Sequence, residues 1–264
     1  MYGLIAGQGV LPGLICDRLG GNVQVFALEG TVVSPKIDPI RFRLETLGSA
    51  IAQMQAMGIQ KLCLAGGIRR PEIDPNLIDA ATRPLVPQIS QALAKGDDGA
   101  LRIVLDLFEK SGFQIVAAHE ILPELLPKSG ILTSAQLGKS HHADAARAQE
   151  IVDTMGAVDI GQACVVAGGQ CFAVEAVPGT EWMLRSLSAR PKTPIGGLLY
   201  KAPKPGQDRR VDLPAIGPDT VQQAVSAGLE GIVVEAGGVM VLDRDAVIRA
   251  ANSSGLFIWV RERG

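Results

Sequence analysis

Aromatic side chains are scarce: two Trp, two Tyr and six Phe make up 4% of 264 residues. Stacking platforms for single-stranded nucleic acid are built from such rings, so that class of partner is not expected. Basic tracts are missing too. Arg69-Arg70 and Arg209-Arg210 are isolated pairs in a chain whose 25 Lys and Arg face 27 Asp and Glu, a formal charge of -2. This argues against nucleic acid or any other polyanion as partner. The four cysteines, Cys16, Cys63, Cys164 and Cys171, lie in apolar runs without C-x-x-C spacing, which speaks against a zinc cluster or a disulfide framework and fits a reducing cytoplasm. The three histidines give no i,i+4 pair, and there is no G-x-S-x-G elbow, so nucleophilic hydrolase chemistry is not indicated. No apolar run reaches the ~18 residues of a membrane span, and the opening MYGLIAGQGVLPG lacks the basic start of a signal peptide. The expectation is a cytoplasmic protein whose membrane contact, where it has one, is peripheral.

What is present is aliphatic and turn-rich: 47% hydrophobic residues, 31 Gly and 16 Pro. Short aliphatic runs at Tyr2 to Ala6, Val23 to Leu28, Lys61 to Ala65 and Phe113 to Ala117 alternate with helical patterns at Leu11 to Leu19, Glu45 to Met57, Pro84 to Ala94 and Asp98 to Ser111. Strands buried on both faces between helices predict an α/β fold with an N-terminal, Rossmann-like, doubly wound parallel sheet over residues 1–126. Pro123, Pro127 and Gly130 mark a linker over 127–135. Residues 136–264 are expected to form a smaller C-terminal α/β domain, opening on a helix near Ala143 to Met155. Gly161 to Ala176 and Gly231 to Arg244 each join two β-branched runs through Gly-Gly and read as hairpins. Helices near Thr180 to Ser188, Pro218 to Ala227 and Asp243 to Ala251, then a strand over Leu256 to Val260, complete it.

Several places carry chemistry in this pattern. Gly7-Gln8-Gly9 follows a strand and precedes a helix, where backbone N–H groups meet phosphates, and Glu29 ends the next strand, where a dinucleotide fold holds a ribose. That pair of features favours an NAD(P)-dependent oxidoreductase, but Pro12 stands where the fingerprint needs its third glycine. Arg69 and Arg70, after the strand ending at Ala65, offer forked donors to phosphate oxygens. Asp97 reads as a helix N-cap and Asp98 with Arg102 as an i,i+4 pair. Glu175 and Glu235 end strand runs, where most glutamates are solvated and some bind metal. His141-His142 precede a helix and His119 ends a strand run; each is more simply surface than ligand. The densest polar cluster is Leu199 to Thr220, with Lys201, Lys204, Asp208, Arg209, Arg210, Asp212 and Asp219. If Gln207 to Leu213 is extended, Asp208, Arg210 and Asp212 share one face, an arrangement suited to a hard divalent ion or to a general base. Gly217-Pro218-Asp219-Thr220 reads as a helix start with more N–H donors.

Across these segments the chain resembles a known family. GLIAGQGVLP (Gly3 to Pro12), GGIRRP (Gly66 to Pro71), GDDGALR (Gly96 to Arg102), DIGQ (Asp159 to Gln162), VEAVPGT (Val174 to Thr180) and above all KAPKPGQDRRVDLPAIG (Lys201 to Gly217) are similar to the LpxI-type UDP-2,3-diacylglucosamine pyrophosphatases of lipid A synthesis. The resemblance implies cleavage of UDP-2,3-diacylglucosamine to UMP and 2,3-diacylglucosamine 1-phosphate (lipid X) with Mg²⁺ or Mn²⁺ as cofactor and water attacking phosphorus. It implies a two-domain enzyme at the inner membrane surface. It marks Asp212 as the essential aspartate, with Asp208 and Arg210 beside it. Asp212 and Asp208 are then the metal ligands, and Gly7, Gln8, Gly9, Arg69, Arg70, Thr180, Lys201, Lys204, Gln207, Gly217 and Thr220 the substrate-binding residues. Where the family reads EGTD this chain has Pro178-Gly179-Thr180-Glu181, which removes position 178 as a ligand and leaves a carboxylate at Glu181. The composition is also compatible with a homodimer. The remaining alternative is a non-catalytic protein that binds nucleotide or lipid.

Overall fold

The computed structural model describes residues 1–68, 72–94, 97–188 and 196–264. The chain forms two compact units. The first is Met1–Pro123 together with Arg210–Asp212; the second is Glu124–Arg209 together with Leu213–Gly264.

In the first unit β1 (Tyr2–Ala6), α1 (Leu11–Leu19), β2 (Val23–Leu28), β3 (Ile40–Phe42), α2 (Leu47–Ala56), β4 (Lys61–Ala65), α3 (Val86–Leu93), α4 (Asp97–Lys110), β5 (Gln114–Ile115) and α5 (Ala118–Ile121) follow one another. The sheet order is β3-β2-β1-β4-β5 and every pairing is parallel. This is the doubly wound order, reversing direction between β1 and β4. Unbroken aliphatic runs such as GLIA and LCLA suit strands that are covered on both faces. Ile5, Phe26, Leu62 and Leu64 pack with Met54 of α2 and with Leu105 and Phe108 of α4. β3 was not anticipated from the sequence; it is three residues long and pairs along β2.

The start of α2 is pinned by side chains. Gly48 N–H donates to the Thr82 hydroxyl at 2.8 Å. A Cβ on Gly48 would lie 2.3 Å from the Ala81 carbonyl, so only glycine lets the 79–82 turn approach the helix. Asp79 accepts from Ser49 Oγ at 2.5 Å and from the Thr82 N–H at 2.7 Å. Glu45 is buried, and its Oε1 accepts from Arg43 at 3.0 Å and from the Asp74 N–H at 2.9 Å.

The second unit continues with β6 (Gly130–Ile131), α6 (Lys139–Ala157), β7 (Ala163–Ala167), β8 (Gln170–Val174), α7 (Gly179–Ser188), β9 (Leu198–Lys201), β10 (Ala215–Ile216), α8 (Pro218–Ser226), β11 (Gly231–Glu235), β12 (Met240–Val241), α9 (Arg244–Ser253) and β13 (Phe257–Arg261). Its main sheet is mixed, in the order β6-β13-β11-β9-β7-β8. Period-two alternation sorts the strand residues into two cores. Val165, Leu199, Ile232, Val234 and Ile258 meet α7, α8 and α9 through Leu184, Val221 and Val247. Cys164, Leu198, Tyr200, Val233 and Phe257 meet Ala145, Ala148 and Val152 of α6. Helices therefore cover both faces.

Three expectations change here. β7 and β8 do form a hairpin, turning at Gly168 and Gly169 with φ of 56° and 77°. β11 and β12 do not. β11 is flanked on both edges by parallel neighbours, β9 and β13, so β12 pairs in parallel with β10 as a separate ribbon. The stretch expected as linker carries β6, which pairs antiparallel with β13. Finally, α6 begins early enough to take in His141 and His142. The Gly138 N–H donates to His141 Nδ1 at 3.0 Å, which leaves Nε2 as the donor to Glu230 Oε2 at 2.7 Å. His141 lies against Phe257 and His142 against Trp259.

Candidate functional site

The glycine-rich loop after β1 has a structural use. Gly7 N–H donates to the Ala65 carbonyl at 2.8 Å, Gln8 N–H to the Gly67 carbonyl at 2.8 Å, and Gly67 N–H returns to the Gln8 carbonyl at 3.0 Å. The loops after β1 and β4 are thus bridged at the point where sheet order reverses. A Cβ on Gly7 would sit 2.5 Å from the Gly66 carbonyl group, and Gly66 itself has φ of 90°. Two of the backbone donors expected to meet a phosphate are occupied by peptide carbonyls, and the close approach that Gly7 allows is to backbone. Glu29 is exposed beyond the end of β2. The dinucleotide reading loses its physical basis. Gly9, with φ of 101° and nothing within 4 Å of an added Cβ, retains open space.

In the second unit three of the sequence motifs meet. Lys201 ends β9 and is buried; its Nζ donates to Thr180 Oγ1 at 2.7 Å. Thr180, in the first turn of α7, donates that hydroxyl to Glu175 Oε2 at 2.8 Å. Lys201 Nζ and Glu175 Oε2 are 4.0 Å apart. Glu175 follows β8, and its N–H donates to the Ala163 carbonyl at 2.8 Å. Gly161 makes room for it, since a Cβ there would lie 2.1 Å from the Glu175 carbonyl oxygen. Ala202 N–H donates to the Gln162 carbonyl at 3.0 Å, and Gln162 Oε1 is buried with no hydrogen-bond partner. An amide oxygen left so is costly unless a ligand or water meets it. Lys204 Nζ reaches Asp159 Oδ1 at 2.5 Å, with Asp159 in the left-handed region at φ of 57°. DIGQ, VEAVPGT and KAPKPG are therefore one cluster, whose ammonium groups and hydroxyl are fixed before any ligand arrives.

The segment that follows departs from expectation. Residues 209–211 form a turn, so Gln207 to Leu213 is not a strand and the shared face of Asp208, Arg210 and Asp212 does not exist. Gln207 is buried and closes the loop, its Oε1 accepting the Lys204 N–H at 2.9 Å while its own N–H donates to the Lys204 carbonyl at 3.1 Å. Arg210 Nη1 donates to Glu109 Oε1 of α4 at 2.5 Å. Asp208 and Asp212 are half-buried. Thr220 serves the start of α8, accepting the Gly217 N–H at 3.2 Å and donating its own N–H to the Gly217 carbonyl at 3.0 Å.

Glu175 and Glu235 are buried rather than solvated, because each is matched by cationic or hydroxyl donors. Glu235 accepts from Arg209 at 3.2 Å and from Arg263 at 3.1 Å. Glu181 is exposed and lies 3.7 Å from Arg185. Arg69 and Arg70 fall outside the described residues. So do the side chains of Asp97 and Asp98, on which the N-cap and i,i+4 readings fall. Arg209, which the sequence placed in the polar cluster without a role of its own, is tied to Glu235. Its partner is 26 positions away.

Among the described residues no three His, Cys, Asp or Glu side chains are grouped for an ion. Magnesium asks less of a protein than that: one or two carboxylates, with water and substrate phosphates completing its shell. Asp208 and Asp212 are carboxylates of that hard-oxygen type, four positions apart in the chain.

Comparison with known proteins bears on the whole chain. Residues 1–125 match the model of the LpxI N-terminal domain and residues 128–259 that of the LpxI C-terminal domain. The chain belongs to the LpxI family. It is 40% identical, over 97% of its length and 95% of the relative's, to the UDP-2,3-diacylglucosamine pyrophosphatase LpxI of Caulobacter vibrioides. LpxI membership agrees with the α/β architecture.

Proposed function

We propose that the chain hydrolyses the pyrophosphate bond of UDP-2,3-diacylglucosamine, releasing UMP and 2,3-diacylglucosamine 1-phosphate (lipid X) by direct attack of water. The observation that carries this is 40% identity to the Caulobacter pyrophosphatase along nearly the full length of both chains. The chemistry of the clustered motifs supports it. A diphosphate ester carries two negative charges and gains more on its phosphoryl oxygens in the transition state, so fixed cations contribute more than a covalent nucleophile would. Lys201, held by Thr180 and Glu175, and Lys204, held by Asp159, are cations of that kind. Their side chains are ordered in advance, so little is lost on orienting them around the substrate.

Asp212 is the residue on which turnover depends in this reading, with Asp208 as the second carboxylate and Arg210 as a further donor to phosphoryl oxygens. Magnesium or manganese held by Asp212 and Asp208 would supply Lewis-acid neutralisation of the diphosphate. The diacyl substrate resides in a bilayer, so we place the reaction at the cytoplasmic face of the inner membrane. No helix among the described residues is long and apolar enough to cross a membrane.

The test is incubation with UDP-2,3-diacylglucosamine and Mg²⁺, with UMP followed by chromatography. Release of UMP that stops on chelation with EDTA and resumes on adding Mg²⁺ is expected. Asp212→Ala should lose at least about a hundredfold in kcat while still binding substrate. Turnover by that variant at the wild-type rate would remove Asp212 from the machinery.

A further inference from the structure

Glu235 occupies the carboxyl end of β11, a strand with parallel neighbours on both sides, and is 3% exposed. A carboxylate at that depth needs partners, and it has two guanidinium groups. Oε1 accepts from Arg209 Nη2 at 3.2 Å, and Oε2 accepts from Arg263 Nη1 at 3.1 Å. Arg209 also donates from Nη1 to the Gly237 carbonyl at 3.4 Å. The turn that carries these acceptors is itself fixed. Gly238 N–H donates to the Glu235 carbonyl at 3.1 Å, and Ala236 N–H donates to the Arg261 carbonyl at 2.9 Å. Gly238 packs so close to Pro203 that an added Cβ would lie 2.8 Å from the proline ring. One turn therefore touches the Lys201 to Arg209 loop at both Pro203 and Arg209.

We infer that Glu235 is a positioning residue which, through Arg209, fixes the chain at the start of the segment carrying Asp208, Arg210 and Asp212. This rests on the pyrophosphatase reading for the roles of those three residues. The tether itself is a matter of geometry. Arg209 is the peptide unit between Asp208 and Arg210, so a guanidinium held at two acceptors limits how far either neighbour can wander. A turn such as residues 209–211 has no ladder of backbone hydrogen bonds to hold it. The buried Glu235 gives this turn an anchor at Arg209, beside the Arg210–Glu109 pair. Arg263 has a different part. Its second nitrogen donates to Asp153 of α6 at 2.6 Å, so it ties the end of the chain to a helix.

Arg209→Ala and Glu235→Gln test the tether, with Arg263→Ala as the comparison. Arg209 is half exposed, so its removal leaves the core intact even where Glu235→Gln folds poorly. Hydrogen exchange is measured on a peptide spanning 204–213, together with kcat and KM for UMP release. Arg209→Ala and Glu235→Gln are expected to speed exchange in that peptide by at least about fivefold. They should lower kcat by about tenfold or more, with KM within about threefold, because misplacement by an ångström costs reaction rate before it costs binding. The double variant should be no slower than the worse single one. Arg263→Ala should lower the melting temperature and leave kcat within about threefold. Unchanged exchange over 204–213 overturns the tether whatever the activity. Faster exchange with wild-type kcat overturns the positioning role, while a wild-type enzyme that releases no UMP overturns the functional reading and leaves the tether to the exchange result.

Discussion

Thiol chemistry separates the residues by environment. Burial pushes the Cys63 thiol up to about 12, with Glu120 adding to the effect, and burial likewise raises Cys164. Cys171 is exposed, and its thiol is raised only in part. Native protein treated with iodoacetamide at pH 8 is therefore expected to take label at Cys171, with Cys63 and Cys164 labelled only in denaturant, as read by peptide mass spectrometry. Label on Cys63 without denaturant would show that β4 opens. At this scale the sequence was a partial guide. It singled out Lys201 and Thr180 in separate motifs, and the fold joins them by a hydrogen bond. It missed that Glu235 and Arg209 are partners, because a pairing across 26 residues leaves no local signature. It misread Gly7, since a glycine that admits a phosphate and one that admits another backbone look identical in one dimension. Gly7→Ala is expected to cost about 1–3 kcal/mol of stability, measured by urea unfolding, through overlap with Gly66.

At the scale of elements, helices and the interior strands were legible because their periodicity is strong; boundaries depended on tertiary partners. The β12 segment has the residues of a hairpin arm, yet both edges of β11 were already taken. α6 starts at Lys139, ahead of its first apolar residues, because His141 finds Glu230, just before β11, and Phe257 of β13. The same helix steadies the one true hairpin. Asp144 is buried, and its two oxygens accept the N–H groups of Gly168 and Gly169 at 3.1 and 2.6 Å. Asp144→Ala is expected to cost about 1–3 kcal/mol, because two turn amides lose their acceptor. Chemical unfolding followed by circular dichroism measures the loss, and a shift under half a kcal/mol would mean that water replaces the carboxylate without cost.

At the scale of the whole molecule, the two acids that brace the start of α2 contribute to its behaviour on acidification. Hydrogen bonding by Ser49, then by Thr82, holds Asp79 below the ordinary aspartate value of 3.8 despite desolvation. Glu45 is pushed up by burial, but the Arg43 and Asp74 donors together outweigh that and leave it below 4.5. Both folded-state values are depressed, so the stability they contribute is complete above the unfolded values and is lost as pH falls through the folded ones. The first unit is expected to lose stability below about pH 4, and Asp79→Asn with Glu45→Gln should flatten the acid limb of a melting-temperature profile. Turn residues at 123–130 suggest a single crossing of the chain, whereas residues 210–212 return to the first unit without any sequence signal. Val211 packs against the Ile5 and Phe108 core, a contact that no hydrophobic period announces. It follows that neither half can be cut out as one uninterrupted length of polypeptide. A fragment stopping at Pro123 would arrive without the stitch that closes it, and a fragment starting at Glu124 would carry that stitch with nothing to sew.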